Sequence, residues 1–128
     1  MEENQTIPTP PEAAPEYDPQ DIEKNKVMAI LAYFGILVLV PIFAAKDSKF
    51  AKFHANQGLL VCILGILVGI IYRVLLKVAT TLTMISLVGF IGMALWIFVG
   101  VLAIIGIVNA AKGQAKELPL IGKIKILK

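Results

Sequence analysis

The sequence predicts an all-α integral membrane protein: a helical bundle of three transmembrane helices (four possible) with a short interfacial amphipathic segment. Two observations carry that prediction. Of the 128 residues, 58% are hydrophobic and only 16% are charged, where a soluble domain carries about a quarter charged residues to wet its surface. The apolar residues also fall in long windows free of Asp, Glu, Lys and Arg, at 27–45, 53–72 and 78–111. A helix needs roughly 20 such residues to cross hydrocarbon.

Residues 1–25 read as a disordered, acidic, proline-rich tail. Five of the seven prolines (Pro8, Pro10, Pro11, Pro15, Pro19) and seven of the nine acids lie there, and the few apolar groups cannot offset the entropy of ordering the segment. No basic stretch followed by a short apolar core leads the sequence, so the first span is expected to act as its own uncleaved insertion signal.

The multi-pass membrane domain is expected over 26–126. Its first span, about 27–45, holds eleven Val, Leu, Ile and Phe residues, a contribution of roughly −3 to −7 kcal/mol towards insertion. Pro41 near its end frees the carbonyl of Leu37 and predicts a kink or a frayed last turn. Next, Phe50 and Phe53 share one side of a short segment with Lys49 and Lys52 on others, and Asp47 or Ser48 can cap its start. The second span, about 58–76, ends at Arg73 and Lys77 beside Tyr72, where long side chains reach headgroups. The last window has 34 residues, or about 51 Å of helix. That is too long for one span and too short for two with a turn. It is therefore divided into a polar approach at 78–86 and a third span at about 87–108. Residues 109–128 form a basic, apolar tail suited to an anionic lipid surface.

Three spans put Lys24, Lys26, Arg73 and Lys77 on one face and the other eight cations on the opposite one. The positive-inside rule then places the C-terminus in the cytoplasm and the N-terminus outside.

Several function classes are excluded. The net charge is +3, but the cations flank apolar windows and orient helices, so nucleic acid is not an expected partner. Cys62 is the only cysteine and His54 the only histidine. Neither a disulfide framework nor a metal centre can be assembled from them, and no cofactor is expected. No acid, lysine or histidine lies in the middle of a span, which argues against an ion-coupled carrier of ordinary type. No catalytic spacing is present outside the tail, so the protein is not expected to be an enzyme. Trp96, central in the third span, is read as a packing residue.

Two constellations remain. Gly65 and Gly69 form a G-x-x-x-G pair, and Gly100, Ala103, Gly106 and Ala110 recur every three or four positions, a spacing that lets helices approach closely in lipid. Lys46, Asp47, Ser48, Phe53, His54, Asn56, Gln57 and Gly58 form a dense polar block beside the membrane. Three spans bring Asn109 and Gly113 to the same face, making it the candidate interaction surface.

The blocks Leu31-Ala32-Tyr33-Phe34-Gly35, Pro41, Lys46-Asp47-Ser48, Phe53-His54-Ala55-Asn56-Gln57-Gly58, Gly106-Ile107-Val108-Asn109-Ala110 with Gly113, and Leu118-Pro119-Leu120-Ile121-Gly122 resemble an uncharacterised family of small prokaryotic membrane proteins. That family is described as similar to the twenty-kilodalton subunit of the chloroplast inner-envelope import translocon. The resemblance implies a multi-pass protein of the prokaryotic plasma membrane, four spans as in the plant protein, and kinship to a protein-conducting component. The residues themselves point to a scaffold or accessory subunit that acts by helix association. Its expected partners are the lipid bilayer and other membrane proteins or a second copy. The alternative is a homo-oligomeric pore or channel component lined by Thr80, Thr81, Thr83 and Asn109.

Overall fold

A computed structural model describes residues 17–127; residues 1–16, most of the expected tail, lie outside the described residues. Among those described, the fold is all-helical: α1 (Pro19–Leu31), a 3-10 turn (Gly35–Val38), α2 (Leu39–Ala44), α3 (Lys49–Val78) and α4 (Leu82–Ala111).

Helix α1 starts inside the stretch that composition assigns to the tail. Asp18 caps it by accepting from the backbone N–H of Gln20 at 3.0 Å, with Pro19 at the first helical position. Proline suits that position because its missing N–H would have no helical partner there. Asn25 breaks the regular backbone (φ −112°, ψ 17°), and its amide bonds back to the Asp21 carboxylate at 2.8 Å. The kink separates a polar first half from an apolar second half, Val27–Leu31.

The expected first span is not one helix. After Leu31 the chain turns through Ala32–Phe34 and reaches Gly35 in the left-handed region at φ +61°. The 3-10 turn and α2 then lead back, and Ser48 closes onto Asp21 near the start of α1. Residues 19–44 are thus a helical hairpin whose two ends sit side by side. Pro41 falls in the first turn of α2, where it costs no hydrogen bond, so the kink expected of it in a longer helix does not arise. Hydropathy could not reveal the reversal, because a hairpin and a straight span use the same apolar residues.

Among the described residues only α3 and α4 are long and apolar enough to cross a membrane, each with 30 residues and an apolar window of mean hydropathy 2.7. Those windows bury only 17% and 22% of their residues, far less than the core helix of a soluble protein. Ser48 caps α3 by accepting from Ala51 N–H at 3.0 Å. The interfacial segment expected at 46–58 is continuous with the second span: both belong to α3. The expected polar approach at 78–86 is also absent as a separate piece. A short turn ends at Thr81, which caps α4 by accepting from Met84 N–H at 3.1 Å. The last apolar window is therefore the end of α3, a tight turn and all of α4. Three straight spans become two long helices and a hairpin.

Candidate functional site

The site grows from the end of the molecule where both described termini meet. Gly58 opens it. A Cβ on Gly58 would overlap the backbone carbonyl of Ala32, so only glycine lets the hairpin tip lie against α3. Gly106 does the same on α4, where a Cβ would fall within the Tyr33 ring. Two of the small residues read from the sequence thus seat the hairpin, and Ala110, fully buried, packs in the same core.

With Tyr33 seated, its hydroxyl meets His54 Nδ1 at 2.7 Å. The other ring nitrogen, Nε2, lies 2.9 Å from the Gln114 carbonyl. A carbonyl only accepts, so Nε2 carries the proton and a neutral ring takes its second bond from the Tyr33 hydroxyl. Phe50, Phe53 and Tyr33 pack edge-on around the imidazole, Phe50 at 4.8 Å between ring centroids. His54 is held on every side and completely buried.

The next two polar side chains hold the C-terminal segment. Asn56 donates to the Ile124 carbonyl at 2.9 Å and accepts from Ile126 and Leu127 N–H at 2.6 and 2.9 Å. Gln57 donates to the Gly122 carbonyl at 2.8 Å and accepts from Leu118 N–H at 2.9 Å. Each amide satisfies backbone groups that have no strand or helix partner, as buried polar groups must be. Gly113 makes the turn into this segment at φ +72°, with Gln114 N–H returning to the Asn109 carbonyl at 2.8 Å. The C-terminal tail is therefore a strap across α3, not a free interfacial segment. Asn109 enters through its backbone.

Asp21 ties the hairpin's open end. It accepts from the Ser48 hydroxyl and from Phe50 N–H, the latter at 3.1 Å. Burial alone would raise its carboxyl, but the hydrogen bonds from Ser48, Phe50 and Asn25 outweigh it and hold the group below the usual carboxylate range. Sequence reasoning missed Asp21, Asn25 and Tyr33. Asp18-Pro19 was the available signal that a helix, not a tail, begins there.

Lys46 and Asp47 are exposed on the turn before α3 and line an open groove of about 1190 Å³. Five lysines (Lys24, Lys46, Lys49, Lys52, Lys125) and three aspartates (Asp18, Asp21, Asp47) contribute to its lining. Among the described residues no group of His, Cys, Asp or Glu is arranged to hold a metal ion. Gly65, Gly69, Gly100 and Ala103 lie elsewhere, along a second groove between α3 and α4.

Comparison with known proteins corrects the resemblance drawn from the motif blocks. Residues 24–127 match the magnetosome magnetite crystal formation protein family, and that stretch contains every block that suggested an import-translocon-like protein. Those blocks serve packing: Gly58 and Gly106 seat the hairpin, and His54, Asn56 and Gln57 fasten the strap. The magnetosome protein MmsF of Paramagnetospirillum magneticum is 31% identical over 98 residues, covering 77% of this chain and 82% of its own length. Magnetosome protein MamF of the same organism is 34% identical over 101 residues, covering 77% and 80%. MamF of Magnetospirillum gryphiswaldense is 31% identical over 110 residues, covering 81% and 85%. No solved structure matches. A family match across the hairpin, both long helices and the strap leaves one assignment: the chain belongs to the magnetosome magnetite crystal formation (MamF/MmsF) protein family.

Proposed function

We propose that this chain is a membrane-embedded accessory protein of magnetite crystal formation in the magnetosome, acting by association and without catalysis of its own. In this reading α3 and α4 cross the bilayer while α1 and α2 enter from one face and return to it. Support comes from the hairpin's irregular backbone. Ala32, Tyr33 and Val38 are buried, which ties the hairpin tip to α3 and α4, while Phe34, Ile36 and Leu37 between them turn apolar side chains outward.

The observation that carries the proposal is the joining of both described ends at one face by Asp21–Ser48 and the Asn56 and Gln57 bonds. Nine described lysines then stand at that face, with only Arg73 and Lys77 at the other. The positive-inside rule makes the nine-lysine face cytoplasmic. In this reading both described ends face the cytoplasm, which reverses the N-terminal placement derived from three spans. The lysine-rimmed groove is the surface offered to partner proteins there.

The test is complementation. In a magnetite-forming strain stripped of its own MamF/MmsF-family proteins, this chain is expected to restore magnetite crystal formation from the magnetosome membrane. Crystals that stay defective while the protein is present in that membrane would overturn the reading.

A further inference from the structure

Resting on the two-span reading above, we infer that the groove between α3 and α4 holds one phospholipid of the leaflet opposite the hairpin. The phosphate lies on Arg73 and an acyl chain runs to the hairpin tip. The hairpin covers α3 and α4 only as far as Tyr33 and Gly35. Beyond it lies an apolar groove of about 650 Å³ floored by Gly65, Gly69, Gly100 and Ala103. From Val61, beside the tip, to Arg73 the groove follows α3 for twelve residues, or about 18 Å. That matches the depth of one leaflet, about 15 Å of hydrocarbon plus the backbone of the headgroup.

Charge decides the occupant. Residues 48–116 contain no Asp or Glu, and all five described acids stand at the opposite end with the termini. Among the described residues Arg73 therefore has no acid to pair with, and its exposed guanidinium is open to an anion from outside. A lipid phosphate arrives at that depth with an apolar chain already attached, and a guanidinium binds it in two-pronged fashion. A second copy packed face to face in the same orientation would instead bring a second Arg73 to the same depth of the seam.

Two features make the groove testable without disturbing the fold. Trp96, the only tryptophan, lines it. A Cβ added at Gly100 meets nothing within 4 Å, so Gly100→Leu puts a side chain into the groove from a position whose Cβ touches no neighbour. The full chain in mild detergent is titrated with phosphatidylglycerol brominated on its acyl chains, and Trp96 fluorescence is followed. The expected result is saturable quenching, reduced at least tenfold in apparent affinity by Gly100→Leu and several-fold by Arg73→Gln, with helical content and oligomeric state unchanged. Equal quenching of all three proteins would overturn the inference. So would conversion of an oligomer to a monomer by Gly100→Leu, which would give the groove to a second copy. Labelling of single cysteines at positions 46 and 80 from opposite sides, in a Cys62→Ser background, checks the two-span reading separately.

Discussion

The two halves of the molecule are held together by different physics. At the terminal end, glycine contacts seat the hairpin, and His54, Asn56, Gln57 and Ser48 are buried with partners for their polar groups. At the far end α3 and α4 meet through few close fits, Tyr72 over Gly92 among them, and most apolar side chains face outward. Directional bonds fix one arrangement in the first half, because a misplaced buried amide loses its partner and pays desolvation. Apolar contact in the second half is permissive, since lipid tails solvate those side chains as well as a neighbouring helix does. Specificity is thus concentrated at the terminal end.

The largest expected effect breaks the hairpin seat. Gly58→Leu places a side chain where the Ala32 carbonyl lies, an overpacking expected to cost about 3 kcal/mol or more. Gly89→Leu, also mid-helix but with open space around it, is expected to stay within about 0.5 kcal/mol. Thermal unfolding in detergent separates them. Similar losses in both would show that the two halves are equally constrained.

An intermediate effect follows from the strap. Gln57→Ala leaves the Gly122 carbonyl and Leu118 N–H without their partner, at about 1–3 kcal/mol. Limited trypsin digestion is expected to cut at Lys123 and Lys125 faster in this variant, while the α3–α4 turn keeps its wild-type resistance. Unchanged cleavage would mean that the amide does not hold the segment.

The smallest effect is set by pH. The Asp21 carboxyl is held below its ordinary value in the folded state. Its contribution is therefore complete above the unfolded carboxylate range and is lost as pH falls through the lower folded value. Acidification is expected to loosen the tie between α1 and Ser48, read as a lower protection factor of the Phe50 amide once the intrinsic pH dependence of exchange is divided out. In Asp21→Asn that protection factor is expected to be lower already at neutral pH and flat across the same range. An Asp21→Asn protein that kept the wild-type acid response would assign it to another group.

Much of the fold was legible in particular residues. Ser48 as a cap, Gly113 as a turn, the two long apolar helices, and the polar block at the same end as Asn109 all follow from local rules. The hairpin was not legible: eleven apolar residues read alike whether a chain crosses or turns back, and Gly35 alone does not announce a reversal. The bonds that reveal it join Asp21 to Ser48 and Asn56 to Ile126, across 27 and 70 positions.

Composition by itself determined that this chain is helical and suited to a bilayer, because hydropathy is a sum over residues and needs no geometry. Only the tertiary structure decided which described ends meet, and with them the use of the polar block. Pairing between distant residues depends on where the backbone turns, and the turn at Ala32–Gly35 is held by close approaches to Gly58 and Gly106 that no local pattern encodes.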